Sequence, residues 1–215
     1  MEKRILTVLR SGGEYEPKHV QAVQRQVARW APGVSFGCLS DTPIEGVDCI
    51  PLRHNWPGWF AKLELFRPDL GGRFLYTDLD NLIVGPLDDI LEQRRYTTQV
   101  KGWNALMYVP RWTHEWAYEM FATNLEKAMQ ECAPEKFGEG QPFGDAAFAA
   151  RYFESTAAHW ETALPGQVVN IADLRRPWPW FWDPPPPDAR VLLFGGSRRP
   201  WKLQRFARLY WGEAL

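Results

Sequence analysis

The sequence predicts an α/β fold with a mostly parallel central sheet, in a single domain covering residues 1–215. Short apolar runs rich in β-branched and aromatic residues alternate along the chain with segments whose apolar residues recur at helical spacing. A chain of 215 residues is also long enough to bury a core without disulfides or a structural metal. We therefore expect strands and helices to alternate, with ligand sites at the carboxyl ends of the strands.

The first part of the chain reads as β-α-β followed by a further strand. Residues 5–9 form an apolar run that ends at the glycine-rich residues 11–13, and a helix is expected next. Its apolar residues at helical spacing are Val20, Val23, Val27 and Trp30. Residues 34–39 and 49–52 then read as two short strands separated by a turn-rich segment.

The middle of the chain contains the strand that matters most for function. Residues 60–66 have helical spacing and stop before Pro68. Residues 73–77 read as a buried strand running into Asp78-Leu79-Asp80, with residues 82–84 continuing it. The later elements expected are a short helix at 89–93, a strand at 105–109 and the longest helix at 112–130. Asp78 and Asp80 are thus expected at the carboxyl end of a strand.

Proline and aromatic residues concentrate near the end of the chain, which holds many of the 12 Trp and 18 Pro residues. Residues 175–187 combine Trp178, Trp180 and Trp182 with a run of four prolines. Proline fixes the backbone and removes a hydrogen-bond donor, so this segment is expected to be an extended flap and not a helix or strand.

Charge and hydropathy narrow the class of partner. The 25 basic and 26 acidic residues give a net charge of -1, which argues against a nucleic-acid or anionic-membrane binder. No run approaches the roughly 18 apolar residues of a transmembrane helix, and residues 5–9 are too short for a secretory signal, so a cytoplasmic protein is expected. Cys38, Cys49 and Cys132 lack metal-site spacing and are interpreted as buried thiols.

The pair Asp78 and Asp80 carries the most specific chemistry. Two carboxylates two residues apart on extended backbone leave the same face and can converge on one hard cation. A cation held there can bridge the phosphates of a nucleoside diphosphate and stabilise it as a leaving group. Because an apolar strand precedes the pair, the carboxylates need a partner beside the core. The alternative is a capping or turn role.

Several ordered motifs together resemble the family 8 glycosyltransferases, the glycogenin and lipopolysaccharide galactosyltransferase group, and their small bacterial relatives. The sequence Phe-Leu-Tyr-Thr-Asp-Leu-Asp at 74–80 is similar to the aspartate signature of that family. Further similar stretches lie at 6–15, 50–59 and 165–169, so the resemblance covers most of the chain. It implies a glycosyltransferase-A (Rossmann-like) fold, a sugar nucleotide donor that is usually a uridine diphosphate sugar, a manganese or magnesium ion, and transfer with retention.

The resemblance also implies roles at the donor site. The residues it places along the nucleotide pocket are Thr7, Val8, Leu9 and Arg10. Tyr15 would stack on the base, with a surface tyrosine as the alternative. Lys62 resembles the basic residue directed at the donor and at the aspartate pair, although a lysine on a helix is more often a solvated charge. The acceptor is left open as a glycan, a lipid or a protein.

A further group of residues would surround the transferred sugar and the diphosphate. Asp145 resembles the aspartate of a Gly-Asp-Gln segment near the sugar, with a helix N-cap as the alternative. Asn104 would hydrogen-bond a sugar hydroxyl, with a strand-edge role as the alternative. In the segment 191–202, Lys202 or Arg198 would contact the diphosphate.

Two departures from the family pattern bear on activity. Gly195 stands where a histidine normally completes the metal site, and Ala146 stands where a glutamine lies beside the reacting sugar. Loss of the imidazole leaves oxygen ligands, which suit magnesium. Two alternatives to an active transferase remain: a degenerate glycosyltransferase-like domain that only binds, and a haloacid-dehalogenase phosphatase with Asp78 as nucleophile.

Overall fold

A computed structural model describes residues 3–71, 73–100, 103–111, 114–173, 185–195 and 198–212. The strands are β1 (Arg4–Leu9), β2 (Ser35–Ser40), β3 (Asp48–Pro51), β4 (Phe74–Thr77), β5 (Leu82–Ile83), β6 (Thr97–Thr98), β7 (Leu106–Val109), β8 (Ala158–His159), β9 (Val168–Asn170) and β10 (Val191–Leu193). The α-helices are α1 (Pro17–Trp30), α2 (Asp88–Leu91), α3 (His114–Thr123), α4 (Leu125–Glu131), α5 (Gly144–Phe153), α6 (Trp160–Ala163) and α7 (Gln204–Trp211). The 3₁₀ helices are Gly58–Phe66, Pro68–Leu70, Pro134–Lys136, Ile171–Asp173 and Pro200–Lys202.

The described residues form a seven-stranded sheet in the order β3-β2-β1-β4-β7-β6-β8. Its pairs are parallel except where β7 runs antiparallel to β4 and to β6. A second sheet, in the order β5-β10-β9, packs beside it with β10 antiparallel to β5 and parallel to β9. The predicted α/β architecture with a mostly parallel central sheet is confirmed.

The core lies on both faces of the central sheet, because side chains on a strand alternate between faces. On β4, Phe74 and Tyr76 pack into one apolar cluster with the 3₁₀ helix Gly58–Phe66, α3 and α5. Leu75, between them, packs into a second cluster with α1. The same alternation on β1 sends Leu6 to the first cluster and Ile5 to the second. Both strands are therefore buried on both faces, as their continuous apolar sequence predicts.

Three sequence expectations are corrected by the structure. The long helix expected at 112–130 is two helices, α3 and α4, separated at Asn124, a residue type of low helix propensity. Residues 82–84 do not continue β4: the chain turns after Asp78, and β5 joins the second sheet. The helix at 60–66 is a 3₁₀ helix, Gly58–Phe66, that ends before Pro68. Most of the predicted flap at 175–187, including its tryptophans, lies outside the described residues.

The thiols fit the sequence interpretation in part. Cys38 and Cys132 are buried, Cys49 is half-buried, and none of the three forms a disulfide. No helix among the described residues has the length and apolar character needed to cross a membrane.

The topology brings three chain segments to one edge of the central sheet. Because β1 and β4 are parallel neighbours, the loop after Leu9 and the turn after Thr77 leave the sheet on the same side. Because β7 runs antiparallel to β4, its start, after Asn104, lies at that side too. The backbone N–H of Asp78 donates to the carbonyl of Ala105 at 2.8 Å, which ties the turn to the start of β7.

Candidate functional site

Two adjoining cavities open at this edge of the sheet. The larger, of about 670 Å³, is lined by the end of β1, the loop that follows it and the turn after β4. The smaller, of about 420 Å³, is lined by the start of β7, the start of α5 and the end of β10. The residues that line both cavities are Trp59, Lys62, Asp78 and Arg199. Both volumes lie in the range of small-molecule sites.

Asp78 and Asp80 lie where these cavities meet. The side chain of Asp78 is 23% exposed and that of Asp80 is 10% exposed. The Asp78 carboxylate accepts a short hydrogen bond from the Tyr76 hydroxyl and pairs with the Lys62 Nζ at 3.1 Å. Asn81 fixes the turn, because its side-chain amide donates to the Ala105 carbonyl at 2.7 Å. Both aspartates line the smaller cavity, so the turn after β4 brings the two side chains to one site.

Asp80 is an acid whose pKa is strongly shifted by its surroundings. Burial, reinforced by the charge of Asp78, raises the pKa of Asp80 to about 7, although Arg199 opposes the rise. The Asp80 Oδ2 accepts a hydrogen bond from the Tyr15 hydroxyl at 2.9 Å and pairs with the Arg199 guanidinium at 3.3 Å. An anionic pair this close to the core thus needs cationic neighbours.

Lys62 joins the aspartate pair to the smaller cavity. Its Nζ lies 3.1 Å from the Asp78 carboxylate and 3.2 Å from the Asp145 carboxylate. Burial alone lowers the pKa of Lys62, but Asp145 and Asp78 outweigh it and the pKa is raised. Asp145 also accepts a hydrogen bond from the Asn104 side chain at 2.6 Å. Lys62 is therefore not a solvated surface charge but the centre of a buried polar cluster.

The alternative cap role of Asp145 is not what the structure shows. Phe143 holds the N-cap position of α5, and Asp145 lies in the first turn with its side chain directed at Lys62 and Asn104. Burial raises the pKa of Asp145, while Lys62 and Asn104 lower it. Asn104 is only 4% exposed, so it is a buried donor and not an edge residue.

The residues predicted along the nucleotide pocket mostly line the larger cavity. Val8, Leu9, Arg10 and Tyr15 all do so. Thr7 does not line the cavity, contrary to the prediction. It is fully buried, and its hydroxyl donates to the Thr77 carbonyl at 2.9 Å, so it joins β1 to β4 behind the cavity lining.

Arg10, which lines the larger cavity, is held in place by polar contacts outside it. It pairs with Asp41 at 2.6 Å and donates a short hydrogen bond to Asn55. The pairing fixes the guanidinium at the end of β1.

The basic segment near the end of the chain contributes a residue that the sequence analysis missed. Arg199 lines both cavities, pairs with Asp80, and lies 2.9 Å from the Glu14 carboxylate with its guanidinium over the Tyr15 ring. Lys202, which we predicted to contact a diphosphate, is 60% exposed and pairs with Glu14 without lining either cavity. The sequence shows two adjacent basic residues before Pro200, Arg198 and Arg199, and does not decide which of them faces the cavities.

The two departures from the family pattern both face the smaller cavity. Gly195 and Ala146 line it, and a Cβ built on Gly195 meets no atom within 4 Å among the described residues. Within the described part of the chain, no group of three or more His, Cys, Asp or Glu side chains is arranged to hold a metal ion. The carboxylates of Asp78 and Asp80 are hard oxygen ligands, the type that magnesium and manganese accept, and they fit a cation that completes its shell with phosphate oxygens and water.

Comparison of the fold with solved structures gives consistent neighbours. The glycosyltransferase GlyE of Streptococcus pneumoniae superposes with a TM-score of 0.65 at 15% identity, over 98% of this chain and 61% of GlyE. The galactosyltransferase LgtC, solved with donor and acceptor sugar analogs, gives 0.64 at 11% identity over 99% of this chain and 96% of LgtC. A glycosyltransferase involved in glycosylation of the PBCV-1 major capsid gives 0.52 at 12% identity, over 97% of this chain and 99% of that protein.

These likenesses concern the fold. This chain spans about 61% of the length of GlyE, and its identity to each of these proteins is 15% or less. No protein-family model matches the sequence, and no curated protein matches it. The phosphatase alternative expects the aspartate pair on the first strand, whereas here the pair follows β4. The chain therefore has the glycosyltransferase-A fold, as its resemblance to family 8 predicts.

Proposed function

We propose that this protein transfers a sugar from a nucleoside diphosphate sugar, most simply a uridine diphosphate sugar, to an acceptor with retention at the anomeric carbon. The observation that carries the proposal is the convergence of Asp78, Asp80, Lys62 and Asp145 where two cavities meet. The larger cavity suits a nucleoside, the smaller suits a sugar, and the charged residues lie between them, where a diphosphate belongs.

Asp78 and Asp80 would hold the divalent cation, magnesium or manganese. When bound, such an ion neutralises the diphosphate and stabilises it as a leaving group. In the described structure the two carboxylates are balanced by Lys62 and by Arg199. A site that already attracts two cationic side chains has the negative potential that a cation needs. The two carboxylates also accept hydrogen bonds from the hydroxyls of Tyr15 and Tyr76.

The other residues of the site would contact different parts of the donor, according to which cavity they line. Tyr15 and Arg10 line the nucleotide side, and Arg199 can exchange the Asp80 carboxylate for a phosphate oxygen, since a guanidinium binds either anion well. Asp145 and Asn104 offer a carboxylate and an amide to sugar hydroxyls in the smaller cavity. Lys62, held by Asp78 and Asp145, keeps both carboxylates in place. The acceptor would enter on the face from which the diphosphate departs.

A second candidate is a domain of the same fold that binds a sugar nucleotide without turnover. The observation favouring it is that the described residues supply two carboxylates but no third ligand, with Gly195 and Ala146 lining the sugar side. Both candidates share the donor site and differ only in whether the sugar is transferred.

Calorimetry tests the donor site that both candidates need. Uridine diphosphate and other nucleoside diphosphates are titrated with and without Mg²⁺ or Mn²⁺ into the wild type, Asp78→Ala and the control Asp88→Ala. Asp88 is an exposed aspartate in the first turn of α2. We expect metal-dependent binding in the wild type and the control and at least about tenfold weaker binding in Asp78→Ala. Binding that is equal in all three proteins would refute the assignment.

Release of uridine diphosphate from its sugar conjugates then separates the two candidates. Metal-dependent release above the rate without enzyme supports the transferase. Donor binding without any release, for the glucose, galactose and N-acetylglucosamine conjugates alike, supports the binding domain.

A further inference from the structure

The two candidate cation ligands belong to one four-residue turn. The backbone N–H of Asn81 donates to the carbonyl of Asp78 at 3.3 Å, which closes the turn over residues 78–81. The peptide group at its centre joins Leu79 to Asp80. The common types of such turns, I and II, differ in the rotation of this central peptide, which points its carbonyl to opposite sides. The orientation of that peptide therefore sets the direction in which the Asp80 side chain leaves the backbone.

A tyrosine from the last helix holds this central peptide. The Tyr210 hydroxyl donates to the Leu79 carbonyl at 2.5 Å, although the two residues are 131 positions apart in the sequence. Tyr210 is fully buried. Burial, reinforced by the charge of Asp80, raises the pKa of Tyr210, so the hydroxyl keeps the proton that it donates. A carbonyl oxygen buried this deeply needs such a donor in place of water.

Tyr210 is itself fixed relative to the turn. The side-chain amide of Gln26, which is buried, donates to the Tyr210 carbonyl at 3.1 Å and accepts from the Ile83 N–H at 2.9 Å. Because β5 follows the turn directly, this one amide ties α7 to the chain segment that leaves the aspartates. The rings of Trp201 and Trp211 pack on that of Tyr210 at 5.1 and 4.9 Å. The aromatic ring is therefore held independently of the bond that its hydroxyl makes.

The contacts from β7 act on the ends of the turn and not on its centre. The Asp78 N–H and the Asn81 side-chain amide both donate to the Ala105 carbonyl, at 2.8 and 2.7 Å. These bonds fix the first and last residues of the turn and leave the rotation of the peptide between Leu79 and Asp80 open. The Tyr210 hydroxyl acts on that remaining degree of freedom.

We propose that Tyr210 is a positioning residue of the cation site: its hydroxyl fixes the peptide between Leu79 and Asp80 and so directs the Asp80 carboxylate to the ion that Asp78 also binds. The inference rests on the proposed function and adds a residue of α7 to that site. Tyr210 lines neither cavity, so it acts through the backbone of the turn and not on the donor itself.

The chain offers a matched pair of substitutions. Tyr210→Phe removes the hydroxyl and keeps the ring between its aromatic neighbours. Tyr108→Phe is the control, because Tyr108 lies on β7, is only 2% exposed, and its hydroxyl is hydrogen-bonded to the Arg73 side chain. Tyr108 lines neither cavity. Each variant loses one hydrogen bond of a buried tyrosine, so any general effect of that loss is common to both.

The residual dipolar coupling of the Asp80 N–H, measured by NMR without any ligand, reports the orientation of the central peptide. We expect Tyr108→Phe to keep the wild-type coupling, and Tyr210→Phe to lose at least about half of its magnitude or to reverse its sign, because the peptide can then rotate toward the other turn type. The couplings of Thr77 and Leu82, on either side of the turn, should stay unchanged. An Asp80 coupling in Tyr210→Phe equal to that of the wild type would overturn the inference.

Calorimetry measures the consequence for the ion. Uridine diphosphate is titrated into the wild type and both variants, with Mn²⁺ and then with no metal. We expect Tyr210→Phe to bind the nucleotide at least about tenfold more weakly with Mn²⁺, the usual effect of removing an outer support of metal ligands, and within about twofold of the wild type without metal. A protein that is merely less stable would lose both affinities alike. Equal weakening under the two conditions, or none with Mn²⁺, would overturn the positioning role.

The two measurements fail separately. A wild type that binds no nucleotide under either condition refutes the proposed function. The dipolar coupling needs neither nucleotide nor metal, so it still decides whether Tyr210 sets the direction of the turn.

Discussion

Replacing Lys62 by methionine tests how much the buried polar cluster depends on one ammonium group. Lys62 lies 3.2 Å from the Asp145 carboxylate and 3.1 Å from that of Asp78, with 16% of its side chain exposed. At 3.2 Å the attraction to one carboxylate is about 5 kcal/mol at an effective dielectric of 20, and desolvation of the lysine offsets part of it. Removing one partner of a buried pair costs about 3–5 kcal/mol, and the partial exposure reduces this to about 2–4 kcal/mol.

A double-mutant cycle isolates the cause. The free energy of unfolding is measured by urea titration for Lys62→Met, Asp145→Asn and the double variant, since Asn keeps the shape of Asp145 and its contact with Asn104. We expect the double variant to be more stable than Lys62→Met by at least about 1 kcal/mol, because one uncompensated buried charge is gone. A loss below about 0.5 kcal/mol in Lys62→Met, or no recovery in the double variant, would refute the reasoning.

Three other substitutions follow from the site. Gly144→Ala should lower the free energy of unfolding by about 1–2 kcal/mol and displace Trp59, because a Cβ there would overlap the indole, and a shift in tryptophan emission would report this. Gly140→Ala is the control: its φ is +73° and a Cβ there meets no described atom, so it should show the backbone strain without the emission shift. Matching emission spectra of the two variants would contradict this. Gly195→His should leave the melting temperature unchanged and tighten Mn²⁺ binding by about tenfold in calorimetry, because the imidazole is added where a Cβ meets no atom of the described residues; unchanged affinity would contradict it. Arg199→Gln should strengthen Mn²⁺ binding without nucleotide by about threefold, since a competing cation leaves the site; weaker binding would count against this.

Much of the fold could be predicted because the strands that matter are buried on both faces. The apolar run before Asp78 is short and rich in aromatic residues, which favours a buried strand, and it leads directly to the site. The local sequence could not show that Leu82 and Ile83 belong to the second sheet, because the strand they pair with, β10, lies far along the chain. The helix break at Asn124 was likewise hidden, since the apolar spacing continues across it.

The site was predictable where a residue sits next to a recognisable element. Asp78 and Asp80 were predicted in this way, whereas Lys62 and Asp145 came from the resemblance. Arg199 was missed because neighbouring arginines look equivalent in sequence, and only the turn before Pro200 decides which one faces the cavities. The contact of Trp59 with Gly144 could not be predicted from the sequence, because it joins two distant segments. It also depends on a positive φ at Gly144, which a glycine can adopt but which the sequence does not reveal.

The most direct test of the account is a crystal structure with uridine diphosphate and Mn²⁺, with anomalous scattering recorded at a wavelength where manganese scatters strongly. We expect an anomalous peak within about 2.0–2.4 Å of carboxylate oxygens of both Asp78 and Asp80, with the diphosphate bound to the same ion and Arg199 released from Asp80. A nucleotide bound elsewhere, or a diphosphate in this cleft with no metal between it and the two aspartates, would contradict it.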